Sequence, residues 1–247
     1  HLGSPLVDIV PGPRTDAAVV DTLQRYVEST GGVPLVLRRE YPGYVLNAML
    51  GPLLSAARGL LVEERATVAQ VDRVWMQRNS AAIGPFGMMD LFGLGLIADS
   101  WAGSDGDARK QTLRPAVQNL LDNMLQRGES GAQSGAGFYR YPEPQFQQDG
   151  FAHSTPGDEP AYDTLICAWL VHAVLIANAE VLDPADIDSA WTVGTHLQRG
   201  PFAVLTTLTS PRFEALLQAE VAADRIDPGK AANVVSWLAA NCDALER

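Results

Sequence analysis

Three polar side chains near the start of the chain, His1, Asp8 and Asn47, are of types that can take part in proton transfer or charge stabilisation. A histidine oriented by a carboxylate can act as a general base toward a hydroxyl group. An asparagine amide can hold an oxygen on which negative charge develops. Each also has an ordinary structural interpretation, because a strand-end Asp commonly belongs to a turn and a lone helical Asn usually lies at a surface or a cap.

The elements that must position these residues follow from apolar runs and chain breaks. Leu6–Val10 is typical of a buried strand, and Pro11-Gly12-Pro13 ends it. Val33–Arg39 is predicted as a second short strand that ends at a Pro-Gly break. The following apolar segment predicts a helix from about Tyr44 to Glu64, which carries Asn47.

Between the two strands the pattern predicts a helix that is capped by Thr15 and stopped by Gly31-Gly32. Its apolar face consists of Val19, Leu23, Tyr26 and Val27. Asp8 is thus expected at the end of one strand and Asn47 near the start of the first long helix.

The remainder of the chain is predicted to be helical. Thr67 to Gln70 forms a capping-box pattern, and Gly84-Pro85-Phe86 places a proline at the first position of a helix that runs to about Trp101. Further helices are expected from about Asp105–Asp107 and at about 160–181, 184–197, 201–209, 211–225 and 229–243. The predicted fold class is therefore mainly α, with one or two short N-terminal strands.

Residues 128–160 differ in composition from the helical segments on either side. They are rich in Gly, Ser, Gln, Pro and acidic residues and contain several aromatic residues. Two interpretations stay open, a linker or a loop that packs through its aromatic side chains.

Charge and composition exclude several classes of partner. The net charge of −11 argues against a nucleic-acid or anionic membrane surface, since both require a basic face. Ile166–Ala179 is too short to span a bilayer and is predicted as a buried helix. Cys167 and Cys242 have neither metal-ligand nor CxxC spacing, so we expect a reducing, cytoplasmic location.

An internal repeat appears when the chain is shifted by 116 residues without gaps. Asp72 then meets Asp188, Trp75 meets Trp191, and Gly84-Pro85-Phe86 meets Gly200-Pro201-Phe202. We interpret the two segments as duplicated helical units, each too small to bury its own apolar face. Asn47 meets Asp163, so the second copy has lost the asparagine.

Five motifs, in order, resemble the C-terminal region of the L-3-hydroxyacyl-CoA dehydrogenase family. They correspond to the family's PLVEVVPGPxT, PGFxxNRLL, helix start, GPFxxxD and GxGFYxYP, and lie here at Pro5–Thr15, Pro42–Leu50, Val68–Asp72, Gly84–Asp90 and Gly135–Pro142. The resemblance implies a helical C-terminal domain, here duplicated, of an NAD-dependent enzyme that oxidises 3-hydroxyacyl-CoA to 3-ketoacyl-CoA in fatty-acid β-oxidation. The family's upstream Rossmann domain, which would bind NAD, has no counterpart here, so no cofactor site is expected in this chain, which alone is expected to be inactive.

The resemblance also assigns roles to the three polar residues. Asn47 matches the asparagine that contacts the reacting oxygen, and Asp8 stands where the family has the glutamate of its His–Glu dyad. His1 echoes the family's catalytic histidine but lies only seven residues before Asp8, where the family has about a dozen. Ala48 replaces the arginine that usually follows the asparagine.

Four segments are expected from this resemblance and from the repeat. Residues 1–40 would adjoin the nucleotide-binding domain, 41–127 and 161–247 would be the two helical units, and 128–160 would join them. The expected partners are an acyl-CoA, the upstream Rossmann domain, and either a second copy of the chain or the internal pseudo-dimer of the two units.

Two alternative functions remain open, a non-catalytic helical binding or assembly module and a hydroxy-acid dehydrogenase acting on a non-CoA substrate. Gly93 to Ala98 superficially matches a dinucleotide loop, but no strand precedes it, so we interpret it as a bend or packing segment. His172 lies in an apolar helix and is expected to be a satisfied core histidine.

Overall fold

The protein is predominantly helical in the computed structural model, as its sequence predicts. The structure describes residues 5–102, 108–153, 157–208 and 210–245. Within these residues lie eleven α-helices, two short strands and two 3₁₀ turns. The mainly-α class with two short N-terminal strands is therefore confirmed.

The chain divides into two compact units. One comprises His1–Pro52 with Cys167–Arg247, and the other comprises Leu53–Ile166. Both boundaries fall inside helices, α2 at Leu46–Val62 and α7 at Glu159–Asn178. The four-segment organisation drawn from the sequence stays a prediction.

Two parallel strands form a small sheet at the front of the chain. β1 (Leu6–Ile9) pairs with β2 (Val33–Val36), and Asp8 lies opposite Leu35. A helix, α1 (Ala17–Ser29), connects them. Its predicted cap was wrong by one residue.

Asp16 is the actual N-cap of α1. Its carboxylate accepts a hydrogen bond of 2.9 Å from the backbone N–H of Ala18. The Thr15 hydroxyl instead accepts a hydrogen bond from the Gly12 N–H and so closes the preceding turn. An Asp and a Thr in succession both satisfy the capping preference, so composition did not distinguish them.

The apolar face predicted for α1 is largely solvent-exposed. Val19, Leu23 and Tyr26 are 49%, 44% and 65% exposed, and of the four expected residues Val27 is the buried one. The amphipathic pattern located an apolar face correctly, but burial also requires a neighbour, and the described residues supply none for this face.

The remaining helices begin close to their predicted positions, except α5, which was not predicted as a separate helix. They are α3 (Val68–Asn79), α4 (Pro85–Phe92), α5 (Leu94–Ala102), α6 (Ala108–Gln126), α8 (Pro184–Thr195), α9 (Pro201–Leu205), α10 (Ser210–Ala222) and α11 (Pro228–Leu245). The capping box of α3 is present in full, with Thr67 and Gln70 bonded reciprocally. The predicted start of α6 at Asp105–Asp107 lies outside the described residues.

The single helix predicted from Pro85 to Trp101 is in fact two helices. α4 ends at Gly93, whose φ of +90° lies outside the range that other residues adopt readily. The N–H of Leu94 then bonds to the carbonyl of Ser130 instead of continuing the helical pattern. The glycine therefore acts as a break between α4 and α5.

Tryptophans occupy the interior, together with the apolar helix that the sequence predicts to be buried. Trp75 and Trp191 are fully buried, each within its own unit. α7 is long and apolar enough to cross a membrane by length and composition, but 67% of its apolar window is buried in the fold, as in the core helix of a globular domain. Cys167 lies in this helix and is fully buried, whereas the side chain of Cys242 lies outside the described residues.

Of the two interpretations left open for residues 128–160, the structure favours the packed loop. Tyr139, Phe146 and Phe151 are buried. The rings of Tyr139 and Phe146 meet edge to face with centroids 5.0 Å apart, an arrangement that favours aromatic pairs. The described residues of this segment thus form part of the core of the compact unit Leu53–Ile166.

Candidate functional site

Asn47 lies in the first turn of α2 and is exposed to solvent. A tight turn precedes it, in which the N–H of Tyr44 bonds to the carbonyl of Tyr41 at 2.8 Å. Val45 and Met49 are fully buried, so the segment packs through these residues and leaves Asn47 outside. The Asn47 side chain makes no hydrogen bond to any residue that the structure describes, which leaves its amide available for a ligand.

The predicted dyad is represented by Asp8 alone. Asp8 is a residue of β1 and is exposed as a whole. Neighbouring protein atoms nevertheless remove part of the water around its carboxyl group, which raises its pKa above the ordinary value. No hydrogen bond joins Asp8 to Asn47 within the described residues. His1 lies outside them.

A second cluster of polar groups, in Leu53–Ile166, is buried and fully hydrogen-bonded. The Asp72 carboxylate accepts hydrogen bonds from the backbone N–H groups of Phe86 (2.8 Å) and Gly87 (2.9 Å), and from the Tyr139 hydroxyl (3.0 Å). Burial raises the pKa of Asp72 to about 7, while the three donors act in the opposite direction. The carboxylate thus binds the N-terminus of α4, where helix amides lack intrahelical partners.

Asp90 fastens the aromatic loop in the same cluster. Its carboxylate accepts hydrogen bonds from the backbone N–H groups of Phe138 (2.8 Å) and Tyr139 (2.9 Å) and from the Tyr141 hydroxyl (3.1 Å). Burial raises the pKa of Asp90. Burial also raises the pKa of Tyr141, and the nearby negative charge of Asp90 raises it further. An added Cβ on Gly137 would overlap with the Asp90 carboxylate, so only glycine fits at this approach.

The first of these contacts recurs in the other unit. Asp188 accepts hydrogen bonds from the backbone N–H groups of Phe202 (2.7 Å) and Ala203 (2.8 Å) at the start of α9. Burial raises the pKa of Asp188 as well. Gly84 and Gly200 lie so close to their respective carboxylates that an added Cβ would overlap with them.

These aspartates are structural anchors that our sequence reasoning did not identify. A signal was present, since an aspartate stands 14 residues before the phenylalanine of each Gly-Pro-Phe turn. Asp72 and Asp90 are buried and each accepts three hydrogen bonds from the fold, whereas Asp188 is half-buried and accepts two. These carboxylates hold the scaffold, whereas Asn47 is exposed and its side chain makes no hydrogen bond to any described residue.

The described residues fit neither a metal ion nor a dinucleotide. No group of three or more metal-ligating side chains comes together among them. At the start of α1, where a pyrophosphate would bind, the Asp16 carboxylate already occupies the cap, and two prolines in the loop lack N–H groups. Gly93 joins two helices rather than a strand and a helix, and Leu94 to Ala98 lie within α5, in agreement with the interpretation as a bend or packing segment.

The other histidines give no sign of catalysis. The Nδ1 atom of His172 lies 2.9 Å from the carbonyl oxygen of Ala168 in the same helix, which confirms a satisfied, partly buried histidine. His196 terminates α8 in a left-handed conformation. His153 is exposed.

A known protein family matches the segment that carries Asn47, Asp72 and Asp90. Residues 43–141 match the 3-hydroxyacyl-CoA dehydrogenase, C-terminal domain. This segment belongs to that family. The matched range begins at the Pro-Gly turn before Asn47 and ends with the aromatic loop that Asp90 holds. Asn47 and this loop therefore both lie within the match to the dehydrogenase C-terminal domain.

Solved structures extend the likeness over the remainder of the chain. A 3-hydroxybutyryl-CoA dehydrogenase from Escherichia coli shares the fold over 96% of this chain and 69% of its own, with a TM-score of 0.70 and 16% identity. A diketoreductase is 34% identical over 54% of this chain and 46% of its own, with a TM-score of 0.50. The dehydrogenase part of multifunctional enzyme 1 from C. elegans covers 78% of this chain and 45% of its own at a TM-score of 0.50 and 16% identity. This chain therefore spans about half the length of two of the three.

Proposed function

We propose that this chain is the substrate-facing C-terminal portion of an NAD-dependent 3-hydroxyacyl-CoA dehydrogenase. The observation that carries the proposal is the position of Asn47. It lies within the segment that matches the dehydrogenase C-terminal domain, in the first turn of α2, with an exposed amide that no described residue engages. The reaction is the oxidation of a 3-hydroxyacyl-CoA to a 3-ketoacyl-CoA.

Asn47 acts on the oxygen at carbon 3 of the substrate. When hydride leaves that carbon and the hydroxyl proton passes to a base, the oxygen becomes a carbonyl. The side-chain N–H of Asn47 donates a hydrogen bond to this oxygen and holds it in place. Asp8 is the proposed carboxylate partner of the base. His1 lies in the segment that resembles the motif of the family's catalytic histidine. NAD, which accepts the hydride, is held by a separate nucleotide-binding domain.

The exposed face of α1 supports docking of such a domain. Val19, Leu23 and Tyr26 form an apolar stripe on α1, and Val7 and Val33 of the adjacent two-stranded sheet are 40% and 38% exposed. A two-stranded sheet is rarely stable without further strands or packing. A Rossmann domain that continues this sheet and covers the stripe would satisfy both requirements.

We also propose that the chain contains two copies of one helical unit. Asp72 and Asp188 hold the two Gly-Pro-Phe turns through the same pair of backbone bonds. Left-handed residues recur at the same offset, with φ of 55° at Glu64 and 54° at Glu180. The two copies together would form a pseudo-dimer, in place of the dimer that a single-copy protein forms with a second chain. The expected location of the protein is cytoplasmic.

A second candidate follows from the diketoreductase, which is described as acting on dicarbonyl compounds. Its 34% identity exceeds that of the other two structures. A dicarbonyl substrate without CoA would present the same reacting oxygen to Asn47. A non-catalytic assembly module is the third candidate, and it requires neither ligand.

Calorimetric titration of the 247-residue chain separates these candidates. Acetoacetyl-CoA, ethyl acetoacetate and NADH are each titrated into the chain. Binding of acetoacetyl-CoA without binding of NADH supports the proposal. Binding of ethyl acetoacetate at equal strength favours the dicarbonyl candidate, and no binding of either substrate contradicts both catalytic candidates.

A further inference from the structure

We propose that Tyr44 is a substrate-contacting residue that works beside Asn47 and determines substrate preference. The inference rests on the proposed function, because it places the substrate at the start of α2. Tyr44 precedes Asn47 by three residues, and both are exposed while Val45 between them is fully buried. The two side chains therefore belong to the solvent side of the same short segment.

The backbone of Tyr44 is held in an unfavourable conformation. Its φ is +53°, in the left-handed region that a bulky aromatic residue rarely adopts. The other described non-glycine residues with positive φ, namely Glu64, Ser80, Glu180, His196 and Asp224, all lie at or just after the C-terminal end of a helix. A left-handed residue is common there, because it ends the helix. Tyr44 instead precedes a helix, where this explanation does not apply.

No side-chain hydrogen bond or ring contact to a described residue offsets this strain. The Tyr44 residue is 42% exposed, and its hydroxyl makes no hydrogen bond to any residue that the structure describes. Glycine at this position would adopt the same backbone conformation without the steric cost. A strained, exposed aromatic residue next to a candidate catalytic group is best explained by a contact made outside the fold.

The second copy of the helical unit also separates Tyr44 from the residues of the scaffold. At the repeat offset Tyr44 corresponds to Pro160 and Asn47 to Asp163, so both are absent from that copy. The scaffold features, by contrast, are present in both copies, including the left-handed residues Glu64 and Glu180. Tyr44 therefore accompanies Asn47 rather than the scaffold.

The chemistry of the side chain indicates what it contacts. The ring offers an apolar face to the carbon chain of a 3-ketoacyl substrate. The hydroxyl donates a hydrogen bond to a substrate oxygen, which the phenylalanine of the family's PGFxxN pattern cannot do. Tyr44 is thus expected to favour substrates with an oxygen within reach of the phenol.

Three variants of the 247-residue chain test this role by titration with acetoacetyl-CoA and by thermal unfolding. Tyr44→Phe removes the hydroxyl and Tyr44→Gly removes the ring and the strain. Glu64→Gly is the matched control, because Glu64 is also exposed with a φ of 55°. Both glycine variants should unfold at or above the Tm of the unaltered chain. Kd should rise about 10-fold or more in Tyr44→Gly, about 3-fold to 10-fold in Tyr44→Phe, and stay unchanged in Glu64→Gly.

Each contrary result has a distinct meaning. An unchanged Kd in Tyr44→Gly overturns the role of Tyr44 and leaves the proposed function intact. A Tm that falls by several degrees in Tyr44→Gly but not in Glu64→Gly also overturns it, because the ring would then serve the fold. If the unaltered chain does not bind acetoacetyl-CoA, the proposed function fails together with this inference.

Discussion

The carboxylate of Asp72 accepts a hydrogen bond of 2.8 Å from the backbone N–H of Phe86, which lies 14 residues further along the chain. This bond fixes the end of one helix to the side of another and thereby sets the turn between α3 and α4. Asp188 and Phe202 repeat it at 2.7 Å in the other unit. Each contact holds a Gly-Pro-Phe turn within its own unit.

Removal of the two anchoring carboxylates should have unequal effects. Asp72→Ala leaves three buried donors without an acceptor and should lower the free energy of unfolding by about 3 kcal/mol or more. Asp188→Ala affects two donors at a half-buried position and should cost about 1–2 kcal/mol. Urea denaturation of both variants measures the difference, and equal losses would contradict the assignment of Asp72 as the buried anchor.

Stability should fall as pH rises from about 4 to about 7. The pKa of Asp72 is about 7 in the folded protein, against an ordinary value of 3.8. Between these values the folded state binds the proton more tightly than the unfolded state, so this stabilisation is complete below pH 4 and is lost as pH rises through 7. The shift corresponds to at most about 4 kcal/mol.

Urea denaturation across this pH range, with Asp72→Asn as the control, measures the effect. The variant should lose most of the pH dependence, and the remainder should come from Asp90 and Asp188, whose pKa values are also raised. A stability that increases from pH 4 to pH 7, or an equal slope in both proteins, would contradict the buried, proton-binding state of Asp72.

Two glycines should respond oppositely to alanine. Gly137→Ala places a methyl group against the Asp90 carboxylate and should detach the aromatic loop, at a cost of about 2–4 kcal/mol. Gly95→Ala meets open space within α5 and should stabilise the protein by about 0.5–1 kcal/mol. Thermal unfolding together with limited proteolysis checks both, and a loop that stays protected in Gly137→Ala would refute its attachment through Asp90.

The exposed stripe of α1 yields a prediction about two adjacent apolar positions. Leu23→Lys should leave Tm almost unchanged, because Leu23 is 44% exposed. Val27→Lys should destabilise the fold by about 2–4 kcal/mol, because Val27 is 7% exposed and a lysine there would bury a charge. Thermal unfolding of the 247-residue chain distinguishes them. Equal destabilisation would show that the stripe is already covered.

Local signals in the sequence were sufficient for most helices but not for the contacts between them. The capping box at Thr67 and the proline at position 85 give helix starts because their effect is confined to one turn. The exposure of the apolar face of α1 was not predictable. An amphipathic pattern shows which face of a helix is apolar, but it does not show whether another element covers that face. The break at Gly93 was not predicted, because the carbonyl of Ser130, which accepts the N–H of Leu94 after the break, lies far along the chain.

The candidate site was predictable to the same extent. Asn47 was located by its motif, and the structure adds its exposure and its free amide. The roles of Asp72 and Asp90 required knowledge of which backbone amides lie near them, and neither carboxylate carries a local signature of that role. For Asp72 a signal was present in the repeat, since Asp188 occupies the same place before the second Gly-Pro-Phe turn.

The most direct test of the central claim is the affinity of Asn47→Ala for acetoacetyl-CoA, measured by calorimetry. Asn119→Ala is the control, because Asn119 is also an exposed helical asparagine. If Asn47 holds the substrate oxygen, Kd rises about 10-fold in Asn47→Ala and stays unchanged in Asn119→Ala, while both variants retain the Tm of the unaltered chain. Equal affinity of the two variants for acetoacetyl-CoA would contradict the claim.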